Sequence, residues 1–120
     1  MKALLDTNIL IDYLNGIEAA RNEIRRYSQS CISPISWIEV MVGAAVGDEP
    51  TIRRFLAGFH QIAIGHDIAE QAVAIRCQHR IRLPDAIIWA SAQREGALLV
   101  TRNSKDFPPD EPGVRVPYRL

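Results

Sequence analysis

Lys2-Ala3-Leu4-Leu5-Asp6-Thr7-Asn8-Ile9-Leu10-Ile11-Asp12 holds a short apolar run that stops at an acid and two small polar residues, after which apolar side chains return at helical spacing. That is the pattern of a strand over 2–6 passing straight into a helix, with Thr7 or Asn8 as its N-cap. Gly16 ends this helix. Outward from there, 17–27 reads as a second helix carrying Arg21, Arg25 and Arg26, and 30–35 as a buried strand with Cys31 and Ile32. Ser36 then opens a helix to about residue 47. Ile52, Phe55, Leu56 and Phe59 recur at helical spacing, and 61–64 forms a third strand. Asp67-x-x-Glu70 has the form of a capping box opening a helix to His79, and Pro84 opens another that Gly96 stops. Residues 97–101 are strand-like, and 114–116, in a tail with four prolines in thirteen residues, suit only an edge strand.

Strands alternating with helical pairs predict a three-layer α/β/α sandwich around a central, mainly parallel sheet, in one domain spanning 1–120. With 48% apolar and 23% charged residues, the chain can bury a core, and disordered or low-complexity classes are excluded. Fourteen basic and fourteen acidic residues cancel, so any nucleic-acid binding must come from a local patch. Two cysteines, Cys31 and Cys77, make no disulfide framework and read as reduced thiols packed in a cytoplasmic protein's interior. No run approaches a membrane span, and Asp6 and Asp12 interrupt the first apolar stretch, against a signal peptide.

In a parallel sheet, strand C-termini and helix N-termini share one rim, where ligands bind. Four carboxylates fall there: Asp6 after the first strand, Glu39 and Asp85 in first helical turns, and Asp106 after the last strong strand. Each has an ordinary structural role available. Asp6 can introduce a helix, Ser36-x-x-Glu39 is a capping box, Asp85 suits a helix dipole, and Asp106 suits a solvated loop. Together they point to chemistry, because two bare carboxylates about 4 Å apart repel by about 4 kcal/mol at an effective dielectric of about 20. A cation relieves that repulsion, and oxygen-only ligands select Mg²⁺ or Mn²⁺. His60, His66 and His79 form no zinc-type pair. Such an ion suits phosphodiester hydrolysis, with Thr7, Asn8, Thr101 and Asn103 in support and Arg102 placed for a substrate phosphate. Ile9, Leu10, Tyr13, Trp37, Ile38 and Met41 put more apolar area on the early helices than a small sheet needs, which suits either core or an interaction surface. A phosphoacceptor receiver-like signalling domain is the alternative of similar size, although Asp6 lacks the adjacent acid such domains carry.

Leu5-Asp6-Thr7-Asn8-Ile9-Leu10-Ile11-Asp12, Ser33-Pro34-Ile35-Ser36-Trp37-Ile38-Glu39, Leu83-Pro84-Asp85-Ala86-Ile87-Ile88-Trp89-Ala90 and Leu99-Val100-Thr101-Arg102-Asn103-Ser104-Lys105-Asp106-Phe107 resemble, in order, the four motif regions of PIN-domain ribonucleases. The likeness is greatest to VapC-type toxins of bacterial toxin–antitoxin pairs. It implies a Mg²⁺- or Mn²⁺-dependent endoribonuclease with Asp6, Asp85, Asp106 and Glu39 as metal ligands and catalytic acids. It also implies a homodimer, an RNA substrate and a cognate antitoxin that carries any contact with DNA. Many PIN domains carry an acid where this chain has Asn103, so the resemblance leaves Asp106 to supply the fourth carboxylate and bears on whether a second metal binds. An inactive PIN-like binding module is a further alternative.

Overall fold

The first strand, β1 (Lys2–Leu5), is buried on both sides: Ala3 and Leu5 join one apolar cluster and Leu4 the other. In the computed structural model, which describes residues 1–120, this strand is the centre of a five-stranded sheet. Two helices follow it, α1 (Thr7–Leu14) and α2 (Glu18–Arg25), before β2 (Gln29–Ile32). Then come α3 (Pro34–Val42), a single 3₁₀ turn (Val46–Asp48), α4 (Glu49–Leu56) and β3 (His60–Gln61). The chain continues through α5 (His66–His79), α6 (Leu83–Glu95), β4 (Leu98–Val100) and β5 (Val114–Arg115).

Every strand pair is parallel and the order is β3-β2-β1-β4-β5. The chain builds outward from β1 to β2 and β3, then crosses back over β1 to add β4 and β5 on its other side. Helices change face at that reversal. Ala3, Leu5, Ile32 and Val100 meet Ile9 and Leu10 of α1, Val40 of α3 and Leu56 of α4. Leu4, Cys31 and Leu99 meet Ile68, Ala72 and Ile75 of α5 and Ile88 and Trp89 of α6. The predicted three-layer sandwich is therefore present, with a wholly parallel sheet. The connection from β4 to β5 runs as loop, with no helix. No helix is long and apolar enough to cross a membrane.

Several local boundaries differ from the sequence reading, each for a physical reason. The α1 N-cap is Asp6, not Thr7 or Asn8, because Asp6 keeps extended backbone (φ −71°, ψ 159°) and accepts the Thr7 N–H at 2.8 Å. The second strand ends at Ile32, since Ser33 caps α3 by accepting the Ile35 N–H at 3.1 Å and Pro34 takes the first helical position. Helix α3 thus starts earlier than Ser36 and stops at Val42, short of residue 47. Ser36 is buried inside it, so Ser36-x-x-Glu39 is no capping box. The third strand is His60–Gln61 rather than 61–64. Gly65, not Asp67, caps α5, and Asp67 instead pairs with Arg94 at 3.2 Å. Gly96 closes α6 as expected, at φ 64°, a left-handed conformation that glycine adopts without strain. Both cysteines are free thiols, but only Cys31 is buried and Cys77 is exposed.

Candidate active site

Asp6 sits where β1 ends, at the point where the winding of the sheet reverses, the usual place for a ligand crevice in a doubly wound sheet. Its backbone N–H donates to Val100 O at 2.9 Å, continuing the β1–β4 pairing by one residue. The Thr101 hydroxyl, at the end of β4, donates to Asp6 Oδ2 at 2.7 Å, and Asn8 Nδ2 approaches the same oxygen at 3.3 Å. Asn8 Oδ1 in turn accepts the Arg102 N–H at 3.0 Å, tying α1 to the loop after β4. Asp6 is only 4% exposed and forms no ion pair. Burial pushes its carboxyl up to about 6, against the hydrogen bonds from Thr101 and Thr7, with the charges of Asp85 and Glu39 adding to the rise.

Glu39 reaches the same pocket from α3. Thr7 links the two elements: its hydroxyl donates to Glu39 Oε1 at 2.7 Å and shares a hydrogen bond with the Ser36 hydroxyl at 2.9 Å. Asp85, buried in the first turn of α6, completes the group. Burial raises its carboxyl above the usual value, Arg82 opposes that rise through a contact from Nε to Oδ2 at 3.3 Å, and Asp106 and Glu39 add to it. A cavity of about 200 Å³ is lined by Asp6, Glu39 and Asp85 together with Thr7, Asn8, Ile11, Arg82 and Asn103.

The four predicted carboxylates are thus neighbours, in an arrangement of three and one. Asp6, Glu39 and Asp85 share the pocket, while Asp106 stands behind Asn103 and acts on Asp85 through its charge. Asn103 donates to Asp106 Oδ2 at 2.9 Å and accepts the Asp106 N–H at 3.2 Å, so it fixes the loop that carries both residues. No three acidic, His or Cys side chains converge into a closed set of ligands. The donor set nevertheless fits a hard divalent cation. It offers oxygen atoms only, Asp6 is buried without a basic partner, and a single guanidinium faces three carboxylates.

Two placements depart from the sequence reading. Arg102 turns away from the acids: Nε and Nη2 grip both oxygens of Asp12 at 2.8 and 3.0 Å, and Tyr118 donates its hydroxyl to Asp12 at 2.8 Å. Arg82, which sequence reasoning passed over, is the cation that lines the pocket; its position three residues before Asp85 was the available signal. Of the apolar side chains on the early helices, Ile9 and Leu10 are core, whereas Ile38 is 52% exposed and Tyr13, Trp37 and Met41 are half-buried.

Residues 3–108 match the PIN domain family. The chain is 31% identical over 113 residues to Ribonuclease VapC10 of Mycobacterium tuberculosis, covering 88% of this chain and 85% of that protein. Among solved structures it resembles the Toxin-antitoxin complex from Klebsiella pneumoniae, at 47% identity and a TM-score of 0.93 over 98% of this chain and 99% of that one. The fold is also that of VapBC2 from Rickettsia felis bound to a DNA fragment from their promoter, at 22% identity and a TM-score of 0.79 over 96% of both chains. Family match, full-length identity and fold agree: the chain belongs to the PIN-domain family, among its VapC-like members.

Proposed function

We propose that the protein is a Mg²⁺- or Mn²⁺-dependent endoribonuclease that acts as the toxin of a toxin–antitoxin pair. The observation that carries this reading is the pocket at the sheet's reversal point, where three carboxylates from separate elements face one exposed guanidinium and Asp6 is buried unpaired. The ribonuclease and toxin–antitoxin names of the relatives support it, and the family match decides against the phosphoacceptor alternative. Asp6 and Asp85 would hold the ion directly, with Glu39 and Asp106 completing its surroundings through water. When bound, the ion lowers the pKa of a water and offsets charge building on the phosphate oxygens. The protein's own share is positional. Thr101 and the Thr7 N–H fix the two oxygens of Asp6, the Thr7 hydroxyl orients Glu39, and Asn103 holds Asp106. Glu39, exposed and hydrogen-bonded through one oxygen, is left able to accept a proton from the attacking water.

An antitoxin protein and a second copy of the chain are the expected partners, and the half-exposed apolar side chains of α1 and α3 are where protein contact is cheapest to make. DNA contact would come through the antitoxin. The test is cleavage of total RNA by purified protein freed of any partner. Cutting with Mg²⁺ or Mn²⁺ that stops in EDTA is expected, and Asp6→Asn and Asp85→Asn should lower it by at least about a hundredfold with the fold intact. Partner binding without metal-dependent cutting would mean an inactive binding module. Wild-type rates in either variant would remove the site assignment.

A further inference from the structure

Three carboxylates line the pocket and Arg82 is its one cation. One arginine leaves most of that charge unbalanced, which favours the entry of a divalent ion. Arg82 is also built to move. Its backbone is fixed at the N-cap of α6 (φ −61°, ψ 148°), while its side chain is 72% exposed. It meets Asp85 through an Nε hydrogen bond at 3.3 Å, and its terminal amino groups make no hydrogen bond to the protein. A one-point contact made by an exposed arginine holds the buried Asp85 less firmly than a two-point grip does. Arg102 and Arg115, also near this end of the sheet, have their forks spent on Asp12 and Glu23.

We propose that Arg82 is a displaceable counter-ion and the phosphate-binding residue of the site. It neutralises Asp85 while no metal is bound, and it turns its planar fork to an RNA phosphate next to the cleaved bond once a divalent cation takes over the charge of Asp85. This rests on the nuclease reading above. Metal and Arg82 compete for one carboxylate, so removing the arginine must strengthen metal binding and weaken substrate binding. A residue that merely supports the fold would do neither.

The experiment compares full-length wild type, Arg82→Ala and Arg82→Lys, each free of partner. In calorimetric titration with Mn²⁺, Arg82→Ala binds about threefold more tightly than wild type; equal or weaker binding overturns the proposal. The second readout is steady-state cleavage, at saturating Mn²⁺, of the shortest RNA segment found to be cut in total RNA. There, Arg82→Ala raises KM about tenfold with kcat within about twofold. The slope of log(1/KM) against log salt flattens by about 0.7, as loss of one contact to single-stranded phosphate requires. Arg82→Lys, which keeps the charge without the fork, falls between. An unchanged KM and salt slope in Arg82→Ala, beside a wild type that cuts, overturns the role of Arg82 alone. A wild type that binds Mn²⁺ and cuts no RNA overturns the nuclease reading and this proposal with it.

Discussion

Arg102 and Arg82 each face a buried aspartate near the same end of the sheet, and the two pairs differ in every respect that sets what an arginine can do. Arg102 holds Asp12 by two hydrogen bonds, with Tyr118 adding a third from the tail, and its side chain is 33% exposed. Arg82 touches Asp85 once, at 3.3 Å, and is 72% exposed. In the first pair the charge is used to join α1, the loop after β4 and the C-terminal tail. In the second it stays available. Residue chemistry alone does not separate a structural arginine from a functional one; the number of contacts and the access to solvent do.

The comparison breaks most visibly at Asp12. Asp12→Ala leaves Arg102 and Tyr118 facing each other without their acceptor, and breaking a pair of this kind costs about 3 kcal/mol. We expect Tm to fall by about 10 °C, measured by circular dichroism. A loss no greater than that of Arg82→Ala would erase the distinction. The clasp has a counterpart on α2 with a smaller expected effect. Arg115 of β5 grips Glu23 at 2.7 and 3.1 Å, and Tyr27 donates to the same carboxylate. Burial pushes the Glu23 carboxyl up, but Arg115, Tyr27 and Arg26 outweigh it and hold it below its ordinary value of 4.5. A carboxyl lowered on folding adds stability above the unfolded value and loses it as pH falls through the folded one. Glu23→Gln should therefore cost about 2 kcal/mol at pH 7 in urea unfolding, and the gap should narrow as pH drops below 4.5. A gap that is constant down to pH 3 would remove the ion pair from the account. The smallest effect belongs to Arg82→Ala, which should change stability by no more than about 1 kcal/mol in the same assay, because the arginine is exposed although Asp85 is not.

The sequence makes some of this legible and hides the rest for identifiable reasons. Leu5-Asp6 marks the end of β1 because an apolar run, an acid and a helical repeat follow one another locally, and Pro84 and Gly96 bracket α6 by the same short-range rules. At residues 32–36 two caps compete. Ser33-Pro34 and Ser36-x-x-Glu39 both satisfy local rules, and the choice falls to Ser33 because Ser36 is needed in the interior beside Thr7. The acids Asp6, Glu39 and Asp85 were placed on one rim by topology, which a parallel sheet dictates. The partner of Arg102 was not, since Asp12 lies 90 residues away and no spacing rule connects them. The displacement of Asp106 behind Asn103 likewise depends on the turn between them, where two hydrogen bonds fix which side chain meets the pocket.

The central claim is that Asp6, Glu39 and Asp85 form the seat of a divalent cation. A crystal of the partner-free protein soaked in Mn²⁺ and measured for anomalous scattering tests it directly. We expect a strong peak in the pocket, bonded to Asp6 and Asp85, with the Arg82 side chain turned off Asp85. Manganese bound elsewhere, or a pocket without a peak at saturating Mn²⁺, would contradict it.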